Sequence, residues 1–514
     1  MDENRNESIE QNMMAPPPVP VYEGAGSAYT GNLDITKTFS DREHALALIS
    51  VALGYMLIRL CGVTLLSEEA IGIGTALTFL CITVYCAVFN KPEKDALTGH
   101  IIRSAIAAAF SVNIFLTGNI VIQLLSAAFV VLVLVYDRFS ISSESFRIIR
   151  PAFLVDMLSA IFSPLINLFG NIPAYKLRRK PGKTAGSICL GLFIAIPSTF
   201  IVMVLLGSAD ARFGEILSAV FDLLFGNWFT TLINTIIYIA IGIPAGMYIF
   251  SMCQSSKESS FTDIGYQGTK GFISPLTCFV SVVPVCLTYL VFFFSQLSYY
   301  VSAFAAILPE RAQTYSSYAR DGFFELCAVA VINLLIIMAV FLSSKREKAG
   351  DEPHILIKVI SAVLSVMTVI LIATALRKMM LYIEVYGLTQ LRLYTSWFMA
   401  LLSLMFIYIA VRQMFRFNIA RAFVLTFTVM FAVLAFCRSD NIIAGYNLSR
   451  YAQGSLSELN ISTLDTLSID CIPAVRKYSE LLSAQDTITL EDYITKRTER
   501  HFAPETATLG DILY

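Results

Sequence analysis

Apolar runs of about 18 residues or more recur along this chain, and a run of that length suits a helix crossing a bilayer better than the core of a water-soluble domain. A chain of 514 residues would otherwise divide into about three domains. Charged residues make up 15% of it and the hydrophobic class 56%, whereas soluble domains carry about 25% charge. The expected fold is therefore all-α, a polytopic α-helical membrane protein.

Eleven candidate spans follow from the hydropathy: 45–66, 70–89, 101–116, 119–136, 186–207, 229–250, 273–295, 323–343, 355–378, 395–412 and 420–437. The third and fourth meet at Thr117-Gly118 and read either as two short spans or as one long tilted helix. Residues 1–41, with Pro16, Pro17, Pro18 and Pro20, read as a solvated, disordered tail. Residues 42–437 form the membrane domain, and 438–514, where hydrophobicity falls, form a small helical C-terminal domain. Basic residues crowd the even-numbered loops, whereas the odd-numbered loops hold only Arg212, Arg311, Arg320, Arg377, Lys378 and Arg392. The positive-inside rule then places the N-terminus in the cytoplasm. An odd number of spans sends the C-terminal domain outside.

The stretch from Ala375 to Trp397 is the densest mixture of charged and aromatic residues beside the spans. A helix from Ile355 to Tyr386 would be roughly 48 Å long, longer than a bilayer core needs, so its last turns from Arg377 onward stand at the interface. Gly387 suits the left-handed residue that ends a helix, with Leu388 packing back on the last turn. Thr389 is the N-cap of the next helix. One reading of Arg377, Lys378, Glu384, Arg392, Tyr382, Tyr386 and Tyr394 is interfacial anchoring. The other is a binding surface.

The segment MLYIEVYGLTQLRLYTSW, Met380 to Trp397, resembles the signature of a group of bacterial multi-pass membrane proteins known as domain of unknown function 4173, with a sister family numbered 4153. YSSYARDGFFEL, Tyr315 to Leu326, and NLSRYAQGSLSELNISTLDTLSIDCIPAV, Asn447 to Val475, carry the same resemblance. It covers roughly the last 200 residues and implies the architecture but no activity. The first two motifs emerge on one side, because two spans separate their loops. Arg320, Asp321, Glu325, Arg377, Glu384, Tyr386 and Arg392 are accordingly the candidate outer-face cluster, covered by the C-terminal domain. Arg377, Lys378 and Arg392 are the candidate partners of Glu325. Asp470-Cys471-Ile472-Pro473 reads as a helix start with an acidic cap.

Residues 137–185 form an amphipathic and basic cytoplasmic segment. Pro151 to Tyr175 alternates at helical period and should lie in the interface. Lys176, Arg178, Arg179, Lys180 and Lys183 follow it, a cluster that either fixes topology or attracts anionic lipid headgroups. Ala209 to Phe225 is a second short amphipathic stretch. Gly242-Ile243-Pro244-Ala245-Gly246, Pro197, Pro284, Asn113, Asn119, Asn234 and Asn333 suit either a transport path through broken helices or ordinary kinks and interhelical hydrogen bonds. Arg59, midway along the first span, should face a polar neighbour rather than lipid.

Ten cysteines and four histidines show no metal-ligand spacing, so neither a metal nor another cofactor is expected. A net charge of −1 gives no attraction to nucleic acid. No GxSxG, HExxH or phosphate-loop pattern occurs, which argues against an enzyme. The leading functional class is a membrane-embedded binding, sensing or envelope-assembly component. A transporter for a small solute or lipid comes second and an intramembrane enzyme third.

Overall fold

A computed structural model describes residues 39–66, 71–89, 94–142, 153–175, 211–258, 271–295, 323–345, 352–456, 461–479, 490–495 and 507–513, with a few isolated positions besides. The described chain is helical, with one isolated bridge between Ile273 and Ser344. In chain order the longer helices are α1 (Asp41–Leu66), α2 (Ile73–Phe89), α3 (Lys94–Leu116), α4 (Ile120–Ser142), α5 (Phe153–Ile166), α6 (Ala211–Glu258), α7 (Pro275–Ser295), α8 (Phe323–Ser343), α9 (Ile355–Tyr386), α10 (Gln390–Arg412) and α11 (Ile419–Phe436). After them come α12 (Ser439–Ala452), α13 (Ile461–Asp465), a 3₁₀ turn (Ile469–Cys471), α14 (Ile472–Ser479) and α15 (Leu509–Leu513). Among the described residues, 9 helices are long and apolar enough to cross a membrane, and α2 is a shorter apolar helix. The candidate span 186–207 lies outside the described residues.

Local sequence sets the helix ends. α1 begins with a reciprocal capping box: the Ser40 N–H donates to Glu43 Oε2 at 3.0 Å and the Glu43 N–H donates to Ser40 Oγ at 3.3 Å. Gly387 ends α9 at φ 78°, and the Thr389 hydroxyl caps α10 by accepting from the Arg392 N–H, both as the sequence suggests. Leu388 packs into a cluster that Ile383 of the last turn of α9 joins, together with Ile443, Leu448, Leu464 and Val475 of the C-terminal segment.

α3 and α4 are two helices, not one. They run antiparallel, with Phe110 against Phe129 and the Asn113 amide donating to Ser126 Oγ at 3.1 Å. A first core gathers α1–α6 and α11, and a second gathers α7–α10. α1 and α6 touch backbone to backbone. A Cβ on Gly54 would lie 2.2 Å from the Gly246 nitrogen, and one on Gly246 would lie 2.4 Å from the Ser50 carbonyl oxygen. Gly242 and Gly246 are thus a close-packing seam of the small-xxx-small kind, and helix continues through Pro244.

α6 is 48 residues long and merges the second amphipathic stretch with the span after it. Asn333 joins three helices, accepting from Tyr289 Oη at 2.6 Å and donating to Thr368 Oγ1 at 2.8 Å. α5 bends by 53° into the 3₁₀ helix Phe169–Tyr175. Its polar groups bond to α6, with Ser251 Oγ donating to the Pro164 carbonyl at 2.7 Å and Asn171 donating to Ser251 Oγ at 3.1 Å. Leu158, Phe162 and Ile166 remain exposed. Arg59 is exposed, with no polar partner among the described residues, against the expectation that it turns inward. Helical spacing sets Arg59 about 140° around α1 from Gly54, away from the side that meets α6 through the glycine seam.

Candidate functional site

The helix directions bring the α3–α4 turn (117–119), the α9–α10 turn (387–389), the end of α11 and the start of α8 to one end of the bundle. The C-terminal segment docks on that end, which we call the C-terminal face. Its apolar side, including Ile443, Leu448, Leu464, Leu467, Cys471 and Val475, buries against Leu388. Its polar side makes directed bonds to both turns.

The α9–α10 turn is held by Asn447. Its side-chain oxygen accepts from the Leu388 N–H at 2.7 Å and its amide donates to the Leu388 carbonyl at 2.8 Å. Gly387 permits this approach, because a Cβ there would lie 2.7 Å from Asn447 Oδ1. Two of the three motif stretches noted in the sequence therefore meet directly.

The α3–α4 turn is held by two buried carboxylates. Asp470 Oδ2 accepts from the Thr117 hydroxyl at 2.9 Å and from the Gly118 N–H at 2.7 Å. Asp440 Oδ1 accepts from the Asn119 amide at 2.8 Å and from the Gln390 amide at 2.9 Å, while its Oδ2 accepts from the Ser468 N–H at 2.8 Å. Asn119 also caps α4 through the Ile122 N–H and donates to the Tyr394 hydroxyl at 2.9 Å. Asp470 and Asp440 are 2% and 1% exposed, and no cation forms an ion pair with either among the described residues. Burial pushes the Asp470 carboxyl above its ordinary value; the Gly118 N–H and the Thr117 hydroxyl pull it back, and the charge of Asp440 adds to the push. Asp470 does not cap the helix after it as the sequence suggests. Ser468 caps the 3₁₀ turn by accepting from the Asp470 N–H, which leaves the carboxylate to reach across to α3–α4. Ala507 closes the face by accepting from the Ile73 N–H at 3.0 Å.

Of the outer-cluster residues, Arg377 lies 3.8 Å from Glu384. Arg392 stacks on the Tyr382 ring at 4.1 Å. It also donates to the Tyr386 carbonyl at 3.1 Å and the Gly387 carbonyl at 2.5 Å, satisfying the exposed end of α9. Tyr386 meets Tyr382 edge to face at 5.1 Å. Glu325 is exposed on the first turn of α8, and none of its candidate partners Arg377, Lys378 and Arg392 forms an ion pair with it among the described residues. Arg320 and Asp321 lie outside the described residues, as do Lys176, Arg178, Arg179, Lys180 and Lys183 of the basic segment.

At the opposite end, sequence reasoning missed a second charged knot. Asp137 accepts from Arg103 Nε at 2.8 Å, from His100 Nδ1 at 2.8 Å and from Arg138 Nη2 at 2.5 Å. Arg138 is fully buried and also donates to the Cys86 carbonyl at 2.5 Å. Ser104 Oγ approaches the same His100 nitrogen at 3.5 Å. Hydroxyl and carboxylate meet one nitrogen, so this is not the relay of a Ser-His-Asp triad, which uses both. The available signal was an Asp-Arg pair ending one apolar run, with His and Arg spaced i, i+3 at the start of its neighbour.

This fold, with a C-terminal segment bonded over the turns of a helical bundle, defines a multi-pass membrane protein of the all-α class. The chain belongs to the family described as Domain of unknown function (DUF4153), whose family model matches residues 104–478. That is the sister of the family suggested by the motifs, and the match reaches back to α3, well beyond the motifs themselves. No curated protein and no solved structure matches the chain.

Proposed function

We propose that the protein is a membrane-embedded binding or assembly component whose working surface is the C-terminal face, and that this face lies outside the cytoplasm. The observation that carries the reading is the meeting of Gly387-Leu388 with Asn447. It fixes a structured C-terminal segment beside the cation, carboxylate and aromatic groups at the end of α9. Arg392 on Tyr382, with Glu384 and Arg377 nearby, offers both signs of charge and a ring face within one helix end, which suits a zwitterionic or anionic headgroup. Arg320, Asp321 and Glu325 would join it from the loop that enters α8. The side of the membrane rests on the basic residues, which favour the opposite end. The Lys176–Lys183 segment would then meet anionic lipid on the cytoplasmic surface.

Extraction of the full chain with its native lipids, followed by mass spectrometry of what it retains, tests this reading. Glu384→Gln and Arg392→Ala should each lower the retained species several-fold while the folded fraction of Glu384→Gln stays unchanged. An identical complement on wild type and both variants overturns it. A transport reading has one observation in its favour, the buried Tyr289–Asn333–Thr368 chain inside the second core. Solute flux into liposomes that Asn333→Leu abolishes would favour transport instead.

A further inference from the structure

Asp470 and Asp440 are both buried at the joint between the C-terminal segment and the membrane helices. Buried carboxylates are usually matched by a cation, yet the groups bonded to these two are neutral: a hydroxyl, amides and backbone N–H groups. The charged groups acting on Asp470 are Asp440, which repels its negative form, and the partly exposed Arg438, which favours it. Both bonds to Asp470 fall on Oδ2. Oδ1 faces Gly510, where a Cβ would stand 3.2 Å away. A proton on Oδ1 therefore leaves the bonds to Thr117 and Gly118 intact. It removes one of two like charges from a site poor in water.

We propose that this joint is a proton-responsive latch: the C-terminal segment sits tightly on the α3–α4 turn when Asp470 is protonated, and loosens when Asp470 and Asp440 are both ionised. The direction follows from linkage. In the free segment Asp470 gives up its proton at the ordinary carboxylate value; docked, burial makes it hold the proton to higher pH. Docking is at full strength below the free value. It weakens by about tenfold for each pH unit between the free and docked values, and is level above the docked value. The C-terminal segment then covers or uncovers the donors of the α3–α4 turn according to the pH on its own side of the membrane.

Cys471 supplies the readout, since it is fully buried beneath the joint, beside Tyr493 Oη at 3.4 Å. The experiment labels the full chain in lipid nanodiscs with a thiol reagent at pH 5 and pH 8. Labelling is counted on the Cys471 peptide and divided by that of denatured protein at the same pH. Wild type should be protected at pH 5 and label several-fold more at pH 8. Asp470→Asn, which keeps the acceptor oxygen and carries no charge, should be protected at both. Equal protection of wild type at the two pH values overturns the latch, and so does an Asp470→Asn curve that follows wild type. If Asp470→Asn does not fold, Asp440→Asn, which removes the repelling charge, should shrink the rise in labelling between pH 5 and pH 8; a rise as large as that of wild type also overturns it.

Discussion

At the scale of the residue, the C-terminal face depends on side chains that do two things at once. Asn447 both accepts from and donates to the backbone of Leu388, which neither Asp nor Leu can do. Asn447→Ala would leave a buried N–H and a buried carbonyl without partners, at a cost of about 1–3 kcal/mol for each group. Asn447→Asp keeps one bond and sets a carboxylate against the Leu388 carbonyl. Both should lower the thermal midpoint and expose residues 440–479 to protease, Asp at least as much as Ala. Gly387→Ala should act likewise, because φ 78° strains a side chain and its Cβ would strike Asn447. The sequence shows Gly387 and Thr389 as helix punctuation, because caps are local chemistry. It does not show Asn447 as the clamp of their turn, or Asp440 and Asp470 as the clamps of the α3–α4 turn, since a polar residue in or just before a helix looks the same whether it serves its own helix or reaches another.

Among the elements, the pairing of α1 with α6 turns on three glycines. Gly246→Leu would force the two backbones apart, since its first side-chain atom already has no room against Ser50. We expect loss of the monodisperse folded peak in size-exclusion chromatography, with Gly54→Leu behaving the same way. Gly170→Ala, which meets nothing within 4 Å, should be neutral. Apolar length made nearly every helix visible beforehand, because the bilayer sets that length. Pairing was less visible. Gly242 and Gly246 also suit a broken helix, and choosing between a break and a seam requires knowing that Gly54 lies opposite. The amides followed the same pattern: Asn113 and Asn333 proved to be interhelical bonds, and Asn119 a cap that also reaches the docked segment. Asp137, Arg138, His100 and Arg103 went unread as a group because they are divided between two helices whose antiparallel pairing is a property of the fold.

For the whole molecule, α1 to α4 and then α6 to α11 alternate in direction, so the turns within each set belong to one of two ends, whereas α5 runs alongside α6 in the same direction, with Ile161, Pro164 and Asn167 bonded to Tyr248, Ser251 and Ser255. The α10–α11 turn meets the start of α9 through Arg416 Nε and Glu352 at 2.5 Å, and the same end holds Ser344 and Ile273. The C-terminal segment occupies the other end. A membrane-impermeant maleimide should label Gln453→Cys in intact cells and reach Lys345→Cys only after permeabilisation; the reverse result would invert the proposed orientation. The alternation was legible from hydropathy. That two turns more than two hundred residues apart are joined through a third stretch was not, because no local pattern records a contact at that separation.

The bond from Thr117 to Asp470 joins residues 353 positions apart, and this separation gives the C-terminal face a history. A membrane protein enters the bilayer from its beginning, so α3, its turn and α4 are in place long before Asp470 has been synthesised. During that interval the Thr117 hydroxyl, the Gly118 N–H and the Asn119 amide lack their final acceptors. The growing chain therefore shows its surroundings a polar, incompletely bonded surface, which disappears once Asp440 and Asp470 exist and reach back to it. An immature molecule and a finished one differ at this surface even where their membrane helices are identical.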